Sequence, residues 1–295
     1  MSDQAPSISG SSPASQASHG TAAAVMDAPA KSAIQVIDVT KIYGTRKILD
    51  KIRLDVIEGE TLVILGGSGS GKSTLLRLMI GNVMPDGGDI MGLGNSLCCM
   101  TEPELAAYRK SIGVLFQSGA LFNSMTVAEN VALPLREHTD LPDETIEIIV
   151  KIKLEQVGLR EHADKMPSEL SGGMKKRAGL ARAMALDPKV LFYDEPSAGL
   201  DPVTSAEIDQ LIIDLNKKLG ITSVVVTHEM DSAFRIADRM VLLDRGKFIV
   251  SGTPLEMKHS QDPLVRQFVH GLTEGPLTDR RRAGGYEVDL LGGEI

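Results

Sequence analysis

The strongest constraint on this chain is the loop Gly66-Gly67-Ser68-Gly69-Ser70-Gly71-Lys72-Ser73-Thr74. An apolar run, Thr61 to Leu65, precedes it and another, Leu75 to Ile80, follows, which reads as strand, loop, helix. Gly66, Gly71, Lys72 and Ser73 fit the spacing G-x-x-x-x-G-K-[ST], a phosphate-binding pattern. A polyphosphate has to be met by several backbone N–H groups at once, and glycines leave room for that approach. The helix starting near Lys72 adds its positive end to the same place. Lys72 has the length to reach β- and γ-phosphates, and the Ser73 hydroxyl is a ligand for Mg²⁺.

A second apolar run, Val190 to Tyr193, ends on two acids, Asp194 and Glu195. That describes a buried strand with carboxylates at its C-terminal tip, where ligands of α/β sheets collect. Ionised groups in such a place need a cation or a proton to manage them. With a phosphate loop already in the chain, Asp194 is the expected acid on the Mg²⁺ side and Glu195 is free to orient and deprotonate a water. A strand from Thr222 to Thr227 ends on His228, whose imidazole suits contact with a γ-phosphate. Gln117 follows the compact strand Ser111 to Phe116 and so stands at a similar tip.

Ser171-Gly172-Gly173 opens a helix and supplies a second backbone anion site, with an N-cap hydroxyl, two small residues that allow close approach, and a positive helix end. Ordinary capping explains the same residues, and Lys175, Lys176 and Arg177 behind them read as a solvated basic turn. Tyr43, beside a turn glycine, offers a face on which an adenine can stack, although packing is the commoner use of such a tyrosine. Thr101 with Glu104, and Thr126 with Glu129, have capping-box spacing and mark two helix starts. From Thr126 to about Asp187 the pattern is helical, an insertion within an α/β chain.

The chain has 295 residues, enough for a sizeable core, and a formal net charge of −8. An acidic chain with 3% aromatic residues and no Trp is poorly suited to general nucleic-acid binding. Cys98 and Cys99 are adjacent and make no metal framework, which favours the cytosol; they read as two small buried residues. No run approaches the length of a membrane span, and the N-terminus lacks the features of a secretory signal. Residues 1–33, rich in Ser, Ala, Gln and Gly, read as a disordered tail.

Taken together and in this order, residues 34–270 resemble the ATP-binding subunit of ABC transporters. Tyr43 matches the adenine-stacking aromatic, Gly66 to Thr74 Walker A, and Gln117 the Q-loop. Leu170 to Met174 matches the family signature, with Met where Gln is commoner. Val190 to Glu195 matches Walker B, Ser197 to Asp201 the D-loop, and His228 the switch histidine, followed by Glu229 where Asp is usual. The resemblance implies an α/β fold: a P-loop NTPase of the ABC ATPase type, with an N-terminal antiparallel β-subdomain and an inserted α-helical subdomain at about 100–187. It implies ATP and Mg²⁺ as cofactors. Gly66, Gly67, Ser68, Gly69, Ser70, Gly71, Lys72, Ser73, Thr74 and Tyr43 would hold the nucleotide, with Ser171, Gly172 and Gly173 from a second copy. Ser73, Gln117 and Asp194 would hold the metal, and Glu195, His228, Lys72 and Gln117 would serve hydrolysis.

A narrower likeness, to the ATPases of Mla/Mce-type lipid transporters, rests on Phe116 to Phe122, Pro134 to Thr139, and the tail around Gly275-Pro276 and Ala283 to Leu291. It implies ATP-driven phospholipid movement between membranes. The partners would be a second copy, membrane permease subunits and a membrane-anchored MCE-type lipid-binding protein, with no nucleic acid. The place would be the cytoplasmic face of the inner membrane, held peripherally. Residues 271–295 would reach the neighbouring ATPase subunit, and the segment from Gln117 to His138 would dock the permease. An importer ATPase for another substrate is the alternative. A mechanochemical ATPase of DNA repair or translation would show long heptad arms or tandem cassettes, and this chain has neither.

Overall fold

A computed structural model describes residues 31–278. The expected tail up to residue 30, and the extension from residue 279 onward, lie outside the described residues. The chain opens with a long hairpin, β1 (Ser32–Tyr43) and β2 (Arg46–Ile57). Ala33 is already buried, so ordered chain reaches slightly further back than the alternation from Ile34 indicates. Then follow β3 (Thr61–Leu65), α1 (Lys72–Met79), β4 (Gly87–Gly92), β5 (Asn95–Ser96), α2 (Glu102–Lys110) and β6 (Ile112–Leu115). Three helices come next, α3 (Val127–His138), α4 (Asp143–Gln156) and α5 (Gly172–Ala183). The chain continues through β7 (Val190–Asp194), α6 (Pro202–Leu219), β8 (Thr222–Thr227), α7 (Met230–Ile236), β9 (Arg239–Asp244) and β10 (Lys247–Gly252). It closes with α8 (Pro254–Lys258) and α9 (Pro263–His270).

Two sheets form. One is antiparallel, in the order β2-β1-β4-β5; the other has the order β10-β9-β3-β8-β7-β6. In the second sheet β9, β3, β8, β7 and β6 run parallel and β10 is an antiparallel edge. Parallel strands covered on both faces read as unbroken apolar runs. Here the two faces can be assigned residue by residue. Leu62, Ile64, Val190, Phe192, Val224 and Val226 pack with α1 and the antiparallel sheet. Val63, Leu65, Leu191, Tyr193 and Val225 pack with the helices on the opposite side. Each such fully buried side chain contributes about 1.5–3 kcal/mol relative to exposure.

This arrangement brings the C-terminal ends of β3, β6, β7 and β8 to one rim of the sheet, because all four run in the same direction. Both predicted capping boxes form: Glu104 Oε2 accepts from Thr101 N at 2.7 Å and Glu129 Oε2 from Thr126 N at 2.7 Å. The cysteines differ from expectation. Cys98 and Cys99 are both exposed, lying just beyond the short strand β5. Partial burial of the Cys98 thiol, and its hydrogen bond to Asp89, push its pKa up to about 11. Among the described residues no helix is long and apolar enough to cross a membrane.

Candidate functional site

The loop between β3 and α1 is shaped by two glycines. A Cβ on Gly66 would sit 2.3 Å from the Leu243 carbonyl oxygen, and one on Gly71, at φ +112°, 2.8 Å from Leu49 Cδ2. The protein's own β9 and β2 therefore press the loop into its curve. Helix α1 starts without a side-chain cap, so its first amides are left for a ligand. Lys72 Nζ donates to the carbonyl oxygens of Gly66 at 2.7 Å and Gly67 at 3.1 Å. Burial lowers the Lys72 pKa, while Glu195 and Asp194 oppose that shift. Ser70 Oγ is buried and makes no hydrogen bond. A cavity of about 210 Å³ is lined by Arg46, Ile48 and Gly69 through Thr74, which places Ser73 at its wall. An open helix start, an unsatisfied hydroxyl and a lysine folded onto the loop fit a polyphosphate.

Across the rim stand the acids. Asp194 ends β7, and burial, then Glu195, raise its pKa, with Arg77, Lys72 and Lys176 opposing. An oxygen donor disfavoured as an anion by its surroundings suits a hard divalent cation. The Ser73 hydroxyl and the Asp194 carboxylate therefore fit Mg²⁺, and Gln117, exposed just past β6, lies at the same rim.

Glu195 is the most constrained residue of the site. Its φ is +51°, the left-handed region, which costs a non-glycine residue on the order of 1–2 kcal/mol. Its N–H donates to the Val226 carbonyl at 2.9 Å, extending the β7–β8 ladder by one bond. Its carboxylate accepts from Thr227 Oγ1 at 3.1 Å and from His228 N at 3.4 Å, and pairs with His228 Nδ1 at 2.9 Å. The carboxylate thus meets the end of the neighbouring strand β8. Glu195 and His228, distant in sequence, form one pair.

Ser171 caps α5, its Oγ accepting from Met174 N at 3.3 Å. The adjoining glycines are also required by the chain's own packing. A Cβ on Gly173 would meet Thr204 Cγ2 at 2.4 Å, and one on Gly172 would meet Leu200 Cδ2 at 3.3 Å. Close approach is to the chain's own α6 and the loop before it. The basic run also departs from expectation. Lys176 is buried and donates to the Glu195 carbonyl oxygen at 2.8 Å; Arg177 pairs with Glu207 at 2.6 Å. It is not a solvated turn.

Tyr43 is exposed at the end of β1, with the Lys41 ammonium 5.4 Å from its ring centre. Arg46, its cross-strand partner in the hairpin, lines the phosphate-loop cavity and was not singled out from sequence. Thr227 was also missed, though a hydroxyl closing a strand that ends on His228 is a visible signal. The loop after Gln117 is pinned by Asn130, whose Nδ2 donates to the carbonyls of Phe122, Met125 and Thr126, and by Arg182, which donates to Gly119 O at 3.1 Å. Beside it opens a mostly apolar cavity of about 660 Å³, lined by Phe116, Phe122, Leu133, Pro134, Glu137 and Arg182 among others. Phe116 and Phe122 are exposed, whereas Val131 is core. Arg136 is turned to Asp143, at 3.5 Å.

The ABC transporter family model matches residues 49–198. The chain is 45% identical over 268 residues to the intermembrane phospholipid transport system ATP-binding protein MlaF of Escherichia coli K12, covering 91% of this chain and all of that protein. It is 43% identical over 249 residues to the probable ribonucleotide transport ATP-binding protein mkl of Mycobacterium leprae, covering 84% of this chain and 72% of that one. The dimeric ATP-binding cassette MJ0796, in a post-hydrolysis state bound to ADP and Pi, superposes with a TM-score of 0.70 at 31% identity, over 75% of this chain and 98% of its own.

Proposed function

This chain belongs to the ABC transporter ATP-binding family, and from that premise we propose that it is the ATP-hydrolysing subunit of a transporter moving phospholipids between membranes. The single observation that carries the enzymatic part is the Glu195–His228 pair, held at the sheet tip that also carries Asp194 and Lys72. The cargo reading is supported by likeness to a phospholipid-transport relative over that protein's whole length.

Hydrolysis here is positioning plus electrostatics. Lys72 leaves the carbonyls of Gly66 and Gly67 for the β- and γ-phosphates, and the uncapped amides of α1 hold the same groups. Ser73, Asp194 and Gln117 would hold Mg²⁺, which supplies charge neutralisation at the phosphates. Glu195 takes the proton of the attacking water, with Thr227 and His228 fixing the carboxylate's direction. His228 has Nδ1 engaged with Glu195, which leaves Nε2 to face the nucleotide. Tyr43 stacks on the adenine, and Arg46 borders the phosphates.

Two copies bind head to tail, the Ser171-Gly172-Gly173 helix start of one meeting the nucleotide on the loop of the other. A protomer with two separate anion-binding helix starts needs such a partner to use both. The membrane partners are permease subunits and a membrane-anchored MCE-type lipid-binding protein, so the chain works peripherally at the cytoplasmic face of the inner membrane. The permease docks in the groove of Phe116, Phe122, Leu133 and Glu137. Glu137 lines that groove and Arg136 does not, so charge reversal at Glu137 separates docking from folding.

Purification of the intact complex from native membranes, with identification of its chains and bound lipid, tests the cargo. A permease together with a phospholipid-loaded, membrane-anchored protein is expected. A soluble binding protein loaded with a polar solute would overturn the phospholipid reading and leave the ATPase reading intact.

A further inference from the structure

Helix α5 carries at its N-terminus the anion site meant for a partner's nucleotide, and it also touches the acid that serves this protomer's own. The touching group is Lys176. Gly173, Lys176 and Leu180 lie on one face of α5 at helical spacing and are all buried. The Lys176 ammonium donates to the Glu195 carbonyl oxygen at 2.8 Å, which the Ala198 N–H also reaches at 3.3 Å. Glu195 is the residue with the left-handed backbone, at φ +51°. A strained conformation persists only where its surroundings over-determine it. The Glu195 N–H is fixed by β8; its carbonyl is fixed by Lys176 and the following turn. A buried lysine so placed is costly unless it is engaged, and burial does lower its pKa, against the pull of Glu229, Glu195 and Asp194.

We propose that Lys176 is a positioning residue for hydrolysis: it holds the Glu195 peptide in its left-handed turn and ties the orientation of that carboxylate to helix α5. The inference rests on the reading of Glu195 as the group that handles the water. It goes further by giving the chain a direct link between its two half-sites. From the Ser171 cap to Lys176 the chain makes about one stiff turn and a half of helix, so a shift of α5 when its N-terminus meets a partner's nucleotide moves the Glu195 carbonyl with it. The link has discrete parts, a helix, an ammonium and a strained peptide, and each can be altered separately.

Lys176→Met keeps the length and apolar stem of the side chain and removes the donor. In the assembled transporter it is expected to lower ATPase kcat about tenfold to a hundredfold, the loss that follows from one charge-assisted hydrogen bond. The affinity for a fluorescent ATP analogue should stay within about twofold, because the phosphate loop is untouched. Lys176→Arg restores a donor and should recover most of the rate. Thermal melting of both variants checks that the fold is intact. Normal turnover in Lys176→Met, or a fall in nucleotide affinity matching the fall in kcat, would overturn the proposal. So would a slow Lys176→Arg variant that melts like the parent. Glu195→Gln, measured alongside, separates the two levels: if it turns over normally the assignment of Glu195 fails, whereas if it is inactive and Lys176→Met is not, only the role of Lys176 fails.

Discussion

Gly173→Ala puts a number on how tightly α5 is seated against α6. The added Cβ would lie 2.4 Å from Thr204 Cγ2, well inside van der Waals contact. Thr204 cannot simply turn away, because its Oγ1 donates to Asp201 Oδ2 at 2.5 Å and its backbone N–H to Asp201 Oδ1 at 3.0 Å. Overpacking of this kind costs about 1–3 kcal/mol. Replacing a helical glycine by alanine returns up to about 1 kcal/mol of helix propensity, less in a first turn. The net expectation is a loss of about 1–2 kcal/mol, or ~2–8 °C in Tm for a domain of this size. Thr204→Ser deletes the offending methyl and keeps the hydroxyl for Asp201. The double variant Gly173→Ala/Thr204→Ser should therefore regain most of the Tm, with a coupling of about 1 kcal/mol or more in the double-mutant cycle. Differential scanning calorimetry of the four proteins reads the cycle. Steady-state ATPase measured in parallel asks whether the glycine serves the fold or the ligand. If the clash is with α6 alone, the double variant recovers turnover as well as stability. A Gly173→Ala protein that melts like the parent would refute the packing argument. Recovered stability without recovered turnover would show that Gly173 serves the anion as well as the packing.

Two further perturbations probe the chemistry. Glu195→Gln should retain nucleotide affinity and lose about 10²–10⁴ in kcat, the usual size of a general-base contribution, in a single-turnover assay; an unchanged rate removes Glu195 from its role. Asp194→Asn should raise the Tm of the nucleotide-free protein near neutral pH while abolishing Mg²⁺-dependent turnover. The sign follows from the raised Asp194 pKa: folding favours the protonated acid, so the benefit is present at low pH and is lost as pH rises through the folded-state value. The Tm advantage of the asparagine should accordingly shrink on acidification, and an advantage that grows instead would contradict it.

Much of the site was legible because its parts are local. Gly66 to Thr74, the Asp194-Glu195 end of an apolar run, and the capping boxes at Thr101 and Thr126 each depend on neighbours in the chain. What joins them was not legible. The Val, Ile and Leu faces of β3, β7, β8 and β9 are chemically alike, so nothing local says that β8 lies between β3 and β7. Only that order sets His228 beside Glu195. In the sequence a lysine between Lys175 and Arg177 looks like surface; the burial of Lys176 follows from the face it shares with Gly173 and Leu180. Residue type alone suggests burial for Cys98 and Cys99, yet they follow an edge strand of only two residues, which has little to cover them with. The Ser171 helix start shows its small residues in the sequence, but that Gly173 must also clear Thr204 is a contact no spacing rule reveals.

The central claim is that each catalytic site is shared between two copies. Lys72→Ala disables the phosphate loop of its own protomer, and Ser171→Arg disables the cap that its protomer offers to the other. Alone, neither variant has an intact site. A mixed dimer has one, made from the loop of the Ser171→Arg chain and the cap of the Lys72→Ala chain. Mixing equal amounts during assembly with the permease and measuring ATPase activity should therefore recover up to about a quarter of the parent rate, since half the dimers are mixed and each carries one of two sites. A mixture no more active than its two components would contradict the account.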